Sequence, residues 1–478
     1  MSYARLSLNQ VLNFTGGKWL GPAPSGLVFK GVSVDSRAIK KDDLFVALKG
    51  PNFDGADFVS QALKAGAAAA LSHKSDPGGQ PLILVPDSLK ALGDLAKNFR
   101  RLLRLKVLAI TGSIGKTTVK EMVKNILIAK NRRSIPYRHV LATSGNFNNE
   151  VGLPLTLLSA LNSPREINEA VLEMGATSPG DIEYLTKIAA PNVGLITAIG
   201  PAHLAFFKDV ETVAKTKAEL FWNLEPGSLA VINQADPLIM AAIEGLTVNR
   251  FNYGPNGRIW LEKIESNGLN GQRLTFGGFF GEITVDSPWP GQHNAYNALA
   301  ATAAALAMGA SDEDVKEGLS QASSLAGRLK PLKTPFGFWV IDDSYNANPA
   351  SVTAGLEFLA TLKGPKGAIL GDMLELGPDS RAYHRASGHK AAALGLDFLA
   401  LVGDEAPETL AGALEAKQGQ KVFKVFATPE DAARWAKDLV HGQEAYVLVK
   451  GSRAGRLDRA VSFLLAAERD AFGEQNAI

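Results

Sequence analysis

The stretch Ala109-Ile110-Thr111-Gly112-Ser113-Ile114-Gly115-Lys116-Thr117-Thr118 joins an apolar run to small residues, a lysine and two threonines. Residues 105–110 are mostly apolar and predict a buried strand, whereas residues 117–130 carry apolar side chains at helical spacing. Between a strand and a helix, glycines let backbone N–H groups approach phosphate oxygens, and the helix N-terminus favours anions. The stretch therefore predicts a nucleotide-binding loop in which Lys116 reaches the terminal phosphates and the Thr117 hydroxyl binds magnesium.

The predicted loop is a variant of the general phosphate-binding pattern, which has glycine where this chain has Ile110. The alternative is an ordinary Gly/Ser turn with a solvated lysine, and the flanking strand and helix patterns disfavour it. We therefore expect the loop itself to contact the nucleotide through Gly112, Ser113, Ile114, Gly115, Lys116, Thr117 and Thr118.

Length and composition limit the classes of protein to consider. A chain of 478 residues is too long for one core and predicts about three domains. Lys and Arg number 50 against 48 Asp and Glu, and a net charge of +2 argues against a nucleic-acid binder. The absence of cysteine excludes disulfides and thiolate chemistry. Arginine clusters such as Arg100 with Arg101, or Arg132 with Arg133, are expected on solvated helix faces.

The first 20 residues lack the basic segment, long apolar run and cleavage site of a secretory signal. The most apolar later stretch, residues 298–310, is mainly alanine and far shorter than the roughly 20 apolar residues that span a bilayer. We expect a cytoplasmic protein without membrane insertion.

The pattern of apolar runs predicts an α/β protein with three domains. Residues 1–86 combine a strand at 44–48, a turn at 50–55 and an alanine-rich helix at 58–65, followed by a helix from the cap Ser88 to about Leu103. Residues 87–325 alternate helical patterns with short apolar runs at 170–172, 193–197 and 229–232, which predicts a parallel sheet covered by helices. Residues 326–478 repeat this alternation, with strands expected at 338–341, 367–370, 398–402 and 446–449. Between them, Asn348-Pro349 and Thr428-Pro429 each predict a helix cap followed by proline at the first helical position.

Three side chains beyond the loop are candidates for the same site. Glu173 follows a buried strand, and a carboxylate at that sheet edge suits magnesium, although a strand-end acid is often only a surface residue. His203 also follows a strand, where a lone histidine usually needs no functional explanation. Lys217 lies on an amphipathic helix, and the residues alone predict an ordinary solvated lysine.

Amide and charged groups supply further candidates. Asn294 and Asn297 are three residues apart at the start of a helix, and Asn294 fits a purine-binding amide and a helix cap equally well. Arg328 and the strand-end Asp343 open the third domain. Guanidinium suits phosphate and a strand-end carboxylate suits ribose hydroxyls, so this domain can close over the same nucleotide.

Taken in order, these segments resemble the Mur ligases, whose ATP-dependent amide bonds build the peptide of bacterial cell-wall precursors. The resemblance covers essentially the whole chain. It rests on Thr-Gly-Ser-x-Gly-Lys-Thr-Thr at 111–118, Gly-Asn-Phe-Asn-Asn at 145–149, Glu-Met-Gly-Ala at 173–176, Ala-His-Leu at 202–204, His-Asn-x-x-Asn at 293–297 and Asp-Asp-Ser-Tyr-Asn-Ala-Asn-Pro at 342–349.

The resemblance implies a UDP-sugar-binding N-terminal domain, a P-loop-type central ATPase domain and a Rossmann-like C-terminal domain. It implies ATP as co-substrate and two magnesium ions served by Thr117, Glu173 and His203, with a carbamate on Lys217 as a further metal ligand. A carbamate is a carboxylate, which binds magnesium where an ammonium would repel it. Nucleotide contacts are implied for Asn294, Arg328 and Asp343, and substrate contacts for Ser36, Arg37, Asn52, Phe53, Asn146 and Asn149.

Within the family, segments 145–149, 345–349, 370–377 and 449–453 resemble the member that adds D-alanyl-D-alanine to UDP-N-acetylmuramoyl-tripeptide. The Asp-Asn-Pro-Arg segment of the diaminopimelate-adding member is missing. Competing hypotheses are another ligase of the superfamily, such as a folylpolyglutamate synthase or a diaminopimelate- or lysine-adding enzyme, a P-loop ATPase or kinase, and a nucleotide-binding regulator. We expect a monomer. Ile114, Ala198 and Ala205 depart from the usual family pattern without removing a proposed ligand.

Overall fold

The computed structural model describes residues 5–21, 26–75, 80–133, 138–201, 204–279, 281–322, 324–416 and 419–466. Three consecutive segments of the chain form separate sheets, and helices pack against the sheets of each segment. The predicted three-domain α/β fold is confirmed. The boundaries after residues 86 and 325 stay predictions, although no sheet takes strands from both sides of either boundary.

The first segment carries a five-stranded sheet of order β2-β7-β6-β5-β4 and a separate antiparallel pair, β1 with β3. Within the larger sheet only β2 runs antiparallel to its neighbour. The strands are β1 Leu6–Ser7, β2 Lys18–Leu20, β3 Val28–Phe29, β4 Gly31–Ser33, β5 Asp43–Val46, β6 Ala69–Ser72 and β7 Leu82–Leu84, and the helices are α1 Leu8–Thr15 and α2 Val59–Ala65. Helix α3 Ser88–Leu102 follows the predicted boundary at residue 86 and leads into the central sheet.

The central segment carries a nine-stranded sheet of order β16-β15-β14-β13-β12-β11-β8-β10-β9. Its strands are β8 Lys106–Thr111, β9 His139–Ala142, β10 Ile167–Glu173, β11 Val193–Ile196, β12 Leu229–Asn233, β13 Asn249–Tyr253, β14 Ile259–Ser266, β15 Gln272–Gly278 and β16 Gly281–Ser287. Its helices are α4 Lys116–Arg132, α5 Gly152–Leu158, α6 Asp181–Ala189, α7 Val210–Trp222, α8 Pro237–Ala242, α9 Gln292–Ala307 and α10 Asp312–Ser320.

The third segment carries a six-stranded sheet of order β17-β18-β22-β19-β20-β21, parallel except for the edge strand β17. Its elements are β17 Lys330–Lys333, β18 Trp339–Asp343, α11 Pro349–Thr361, β19 Lys366–Gly371, α12 Ser380–Ala393, β20 Phe398–Val402, α13 Ala406–Glu415, β21 Val422–Phe426, α14 Pro429–Val440, β22 Tyr446–Lys450 and α15 Asp458–Leu465. The predicted caps Asn348 and Thr428 each accept a hydrogen bond from a first-turn N–H group of α11 and α14.

Strand register in the central sheet brings the functional candidates together. β8 lies between β10 and β11, with Glu173 opposite Ile110 and Ile196 opposite Thr111. The three parallel strands therefore end at one edge, where the phosphate-binding loop begins. Helix α4 is anchored there by fully buried Val119, Met122, Val123, Ile126 and Leu127, as its apolar spacing predicts.

Three local expectations were wrong. The central sheet is not purely parallel, because β14, β15 and β16 extend it as an antiparallel meander. Helix α3 is capped by Asp87, which accepts from two backbone N–H groups, and Ser88 is its first residue. Arg100 is buried and donates to four backbone carbonyls, those of Leu103, Leu105, Ala189 and Ala190, because α3 packs its C-terminal end against the central segment.

In the part of the chain that the structure describes, no helix combines the length and the apolar character needed to cross a bilayer.

Candidate active site

A cavity of about 1440 Å³ lies between the central and C-terminal segments. Its walls include the carboxyl ends of strands in both sheets, the edge at which α/β proteins bind ligands. The central segment contributes the loop from Ser113 to Thr118 together with Glu173, Lys217 and Asn294. The C-terminal segment contributes Arg328, Asp343, Tyr345, Lys450 and Arg453.

The phosphate-binding loop requires glycine at two positions. Gly112 has φ 141° and Gly115 has φ 84°, both in the region that disfavours L side chains. A Cβ atom on Gly112 would lie 2.2 Å from Thr197 Oγ1, and one on Gly115 would lie 2.4 Å from Asn297 Oδ1. Gly115 is also the N-cap of α4 and has no side chain that could accept a hydrogen bond from the first N–H groups of the helix. These N–H groups are therefore available to a ligand in the cavity.

Lys116 folds back over this loop. Its Nζ donates to the carbonyl oxygens of Gly112 at 2.6 Å and Ser113 at 3.2 Å. Burial lowers the pKa of Lys116, Glu173 raises it and Arg328 lowers it. The ammonium is thus held at the loop by neutral carbonyl groups, which an anionic phosphate can replace with a stronger interaction.

Arg328 connects the C-terminal segment directly to the loop. Its Nη2 donates to Thr117 Oγ1 at 3.0 Å, and its guanidinium carbon lies 4.4 Å from the centre of the Tyr345 ring. The predicted nucleotide contacts from separate domains are therefore adjacent in space, although 211 residues separate Arg328 from Thr117 in sequence.

Glu173 ends β10 with only 3% of its surface exposed. Its Oε1 accepts from Asn148 Nδ2 at 2.8 Å, whereas its Oε2 is buried and accepts no hydrogen bond within the described residues. The Ser113 hydroxyl is likewise buried without a partner there. Buried polar atoms are normally satisfied, and a carboxylate oxygen beside a phosphate-binding loop fits a magnesium ion. The residues present therefore fit the expected metal and nucleotide.

Lys217 is 2% exposed on α7, so the expectation of a solvated lysine was wrong. Burial lowers its pKa from 10.5 to about 7, helped by the positive charge of Lys116 and opposed by Asp181 and Glu219. No ion pair or side-chain hydrogen bond joins its Nζ to another described residue. Helical spacing correctly placed Lys217 on a helix but gave no sign that this face is covered by tertiary packing.

His203 lies outside the described residues. The three residues that depart from the usual family pattern, Ile114, Ala198 and Ala205, are all among the described residues. Ile114 accepts a hydrogen bond through its carbonyl from the Thr197 hydroxyl, Ala198 accepts from the Ser113 N–H at 2.8 Å, and the Ala205 N–H donates 2.9 Å to the Glu375 carbonyl. All three hydrogen bonds use backbone groups of these residues, so they do not depend on the side chains that differ.

Asn294 is buried in α9 and is not its cap, because the helix is capped at Gly291. Its Nδ2 donates to the Pro290 carbonyl at 2.8 Å and its Oδ1 accepts from Asn297 Nδ2 at 3.0 Å. Of the two roles expected for Asn294, purine binding and helix capping, the structure therefore excludes helix capping. Asn297, in turn, is the side chain that touches Gly115 and packs α9 against the phosphate-binding loop.

Asp343 is the last residue of β18 and lies on the cavity wall near the start of the C-terminal segment. One carboxylate oxygen accepts from the Leu329 N–H at 3.1 Å, and the other lies 2.6 Å from Lys450 Nζ. Lys450 is 2% exposed and also donates to the Asn346 carbonyl at 3.0 Å.

The substrate candidates fall into two groups. Asn146 and Asn149 line the cavity, and Asn149 also accepts hydrogen bonds from the N–H groups of Val151 and Gly152. The described residues that line the cavity do not include the other four candidates, Ser36, Arg37, Asn52 and Phe53. Arg37 forms a bidentate pair with Asp35, and Phe53 is 60% exposed.

Sequence reasoning missed some residues that the structure places in the site. Asn148 holds Glu173, and its only signal was membership of the Gly-Asn-Phe-Asn-Asn segment. Tyr345 packs against both Arg328 and Arg453, with guanidinium carbons 4.4 Å and 5.3 Å from the ring centre. Pairings of this kind join distant parts of the chain and leave no local pattern.

Comparisons with known proteins agree with this arrangement. The Mur ligase family, catalytic domain matches residues 28–100, the Mur ligase middle domain matches 110–305, and the Mur ligase, glutamate ligase domain matches 327–453. A UDP-N-acetylmuramoyl-tripeptide--D-alanyl-D-alanine ligase of Haemophilus influenzae is 34% identical over 463 residues, covering 96% of this chain and 98% of that protein.

Solved structures lead to the same family. A crystal structure of MurF from Acinetobacter baumannii has a TM-score of 0.88 and 32% identity, covering 97% of this chain and all of that one. MurF ligase from Thermotoga maritima in complex with ADP has a TM-score of 0.78 and 30% identity, covering 91% of this chain and 96% of that one. With matches to all three domains and relatives that align over nearly their whole length, the chain belongs to the Mur ligase family.

Proposed function

We propose that this protein is the ATP-dependent ligase that adds D-alanyl-D-alanine to UDP-N-acetylmuramoyl-tripeptide in peptidoglycan precursor synthesis. The observation that carries the proposal is the buried, unsatisfied Glu173 carboxylate oxygen beside a glycine-dependent phosphate loop, in a chain whose full-length relatives bear this activity in their names.

In this proposal the loop from Gly112 to Thr118 binds the phosphates of ATP, with Lys116 on the terminal ones. Asn294, Arg328 and Asp343 contact the nucleotide from α9 and from the C-terminal domain. Arg328 is already hydrogen-bonded to Thr117 and supported by Tyr345, which supports its assignment to phosphate.

Magnesium would be held by Thr117, Glu173 and His203, and a pair of ions would also use Lys217. When bound, the metal neutralises charge on the phosphate oxygens during transfer. The orphan Oε2 of Glu173 supports this assignment, and Asn148 would orient the carboxylate through its other oxygen.

A carbamate on Lys217 is supported by burial and by the lack of a described counter-ion for its amine. Carbon dioxide adds only to a neutral amine, and a buried lysine beside Lys116 is driven toward that form. The carbamate would turn a side chain that repels cations into one that binds them.

The reaction would proceed in two steps that use substrate groups alone as nucleophiles. The tripeptide carboxylate attacks the γ-phosphorus of ATP and displaces ADP, giving an acyl phosphate. The amine of D-alanyl-D-alanine then attacks the acyl carbon, gives up a proton and expels inorganic phosphate. Lys116 stabilises the charge on the transferred phosphoryl group, and enclosure between the domains excludes water.

The remaining substrate contacts are proposed at two places. Asn146 and Asn149, on the cavity wall, would position the tripeptide near the phosphates. Ser36, Arg37, Asn52 and Phe53, in an N-terminal domain of residues 1–86, would hold the UDP-sugar. The exposed Phe53 ring supports a role in contacting a ligand. We propose a cytoplasmic monomer.

The decisive experiment measures ADP release and product mass with ATP and UDP-N-acetylmuramoyl-tripeptide, with and without D-alanyl-D-alanine. Tripeptides ending in lysine and in diaminopimelate are tested in parallel. We expect a pentapeptide product that requires the dipeptide. Product formed instead with free lysine, diaminopimelate or a folyl acceptor would assign another ligase activity, and ATP hydrolysis that yields no amide with any acceptor would refute the proposal.

The role of the loop is tested with Lys116→Ala. We expect loss of ADP formation at an unchanged melting temperature, because the lysine contacts loop carbonyls and contributes no apolar packing. Turnover near the wild-type rate would remove the loop lysine from the mechanism.

A further inference from the structure

The cavity wall carries a basic side chain beyond those that the proposed nucleotide and metal sites use. Among the described residues, its walls include five basic side chains, those of Lys116, Lys217, Arg328, Lys450 and Arg453. A buried cation normally has an anionic or hydrogen-bonding partner, whereas an exposed one is solvated and free to bind a ligand.

Four of the five have a partner or an assigned role. Lys116 donates to loop carbonyls, Arg328 donates to Thr117, and Lys450 is paired with Asp343. Lys217 is buried at the position proposed for metal binding. Arg453 differs from all of these, because it is exposed at the cavity wall and no ion pair or side-chain hydrogen bond joins it to another described residue.

The only described contact of the Arg453 guanidinium is with the ring of Tyr345, 5.3 Å from the ring centre. Arg328 contacts the same ring at 4.4 Å. Two guanidinium groups on one ring repel each other unless anions lie nearby. Arg328 is the one that reaches the phosphate loop, which leaves Arg453 available to a second anionic group in the same cavity.

The backbone that carries Arg453 is held firmly. Arg453 begins a short turn three residues beyond the end of β22, in a loop at the carboxyl edge of the sheet. The preceding Ser452 donates its N–H to the Asp372 carbonyl at 2.9 Å and accepts the Leu374 N–H on its hydroxyl at 2.9 Å. The Asp372 carboxylate in turn accepts from the N–H groups of Asp404 and Glu405. Such a scaffold fixes where the guanidinium can point.

The wall near Arg453 combines apolar side chains with the carboxylate of Glu375. Leu374 lines the cavity with 46% of its surface exposed, and Leu376, Ala347 and Ala454 line it as well. A cation beside small apolar surfaces matches a short peptide that ends in a carboxylate and carries methyl side chains.

From these observations we infer that Arg453 binds the terminal carboxylate of the incoming D-alanyl-D-alanine, with Leu374 and Ala454 facing its methyl groups. The inference rests on the proposed function and adds the acceptor subsite to it. It makes Arg453 a specificity-determining residue, since neutral acceptors of the same shape would leave its charge unpaired.

The test compares D-alanyl-D-alanine with its C-terminal amide as acceptors for wild type and Arg453→Met. For wild type we expect the KM of the amide to be about 10- to 100-fold above that of the dipeptide, the range for a charge-assisted hydrogen-bonded pair. Arg453→Met should raise the KM of the dipeptide by a similar factor, leave that of the amide nearly unchanged, and keep the KM of ATP.

Two further variants complete the design. Arg456→Met is the matched control, because that arginine pairs with Asp458 and is not among the cavity-lining residues, so it should discriminate as wild type does. Arg453→Lys keeps the charge without the planar fork and should give intermediate discrimination even if the methionine variant fails to fold.

The possible failures are distinguishable. Unchanged discrimination in Arg453→Met, or in Arg453→Lys if only that variant folds, overturns the carboxylate subsite while wild type still makes pentapeptide. Loss of ATP affinity in parallel with dipeptide affinity would assign Arg453 to the nucleotide and also overturn the inference. A wild-type protein that makes no product from the dipeptide refutes the proposed function instead.

Discussion

Carbamylation of Lys217 can be tested on the protein without substrates. Its pKa is lowered from 10.5 to about 7 by burial and by Lys116. At pH 7.5 about three quarters of this amine is neutral, compared with about one part in a thousand for an ordinary lysine. Because carbon dioxide reacts with the neutral amine alone, Lys217 should be modified several hundred times more readily than a surface lysine.

The assay is ¹³C NMR of the protein equilibrated with ¹³C-bicarbonate. We expect one slowly exchanging carbamate resonance at pH 7.5 that weakens towards pH 6, where about one tenth of the amine is neutral. Lys217→Met should lack the resonance. Lys215→Met should keep it, because Lys215 is an exposed lysine on the same helix.

Activity provides a second readout of the same change. Lys217→Ala should lose most ligase activity and recover part of it when short carboxylic acids are added, since they replace the missing carboxylate. A wild-type protein that is fully active and shows neither the carbamate resonance nor the corresponding mass would refute the reasoning.

The lowered pKa of Lys217 also fixes the direction in which the free energy of unfolding changes with pH. In carbon dioxide-free buffer the folded protein holds Lys217 neutral above about pH 7, whereas the unfolded chain stays protonated up to about pH 10.5. Wild-type stability should therefore rise with pH across that window. The stabilisation gained by Lys217→Met, measured by chemical denaturation, should be largest below pH 7 and shrink as the pH rises.

Other residues give shorter tests. Glu173→Gln keeps the size of the side chain but removes the carboxylate, so ADP release should fall by about two orders of magnitude or more without loss of thermal stability. Lys120→Met removes a 1% exposed lysine that pairs with Glu121 and donates to the Thr143 carbonyl, and should lower the free energy of urea unfolding by about 3 kcal/mol. Lys124→Met removes a 35% exposed lysine that pairs with the same acid and should lower it by less than about 1 kcal/mol. Arg100→Met should lower the free energy of unfolding by about 2–4 kcal/mol, because it leaves buried carbonyl groups unpaired. The matched control Arg101→Met changes an exposed neighbour and should alter this free energy by less than about 0.5 kcal/mol. Equal effects of the two variants would contradict the burial of Arg100.

Local sequence patterns predicted the parts of the fold that local physics determines. The apolar run before Gly112 became β8, the helical spacing after it became α4, and the Asn-Pro and Thr-Pro pairs became caps. Each depends on neighbours within a few residues. Glu173 could be placed at a strand end for the same reason, because an apolar run that stops at an acid marks where a buried strand leaves the core.

The rest depends on packing between distant segments. Nothing near Lys217 distinguishes it from Lys215, yet the first is buried and the second exposed because of what covers α7. Arg100 and Arg101 differ for the same reason. The antiparallel strands β14–β16 were missed because the prediction relied on continuous apolar runs, which mark strands buried on both faces, whereas β16 alternates buried and exposed residues as a strand with one solvated face does.

One hydroxyl group links loading of the site to the position of a whole domain. Thr117 Oγ1 accepts the Arg328 guanidinium and is also the oxygen proposed for magnesium. A dication and a guanidinium cannot share that oxygen without strong repulsion, so metal entry must send Arg328 elsewhere, and the negatively charged phosphates are the nearest attraction. By linkage, any change that strengthens the Arg328–Thr117 hydrogen bond would weaken the affinity for the metal by up to the same factor.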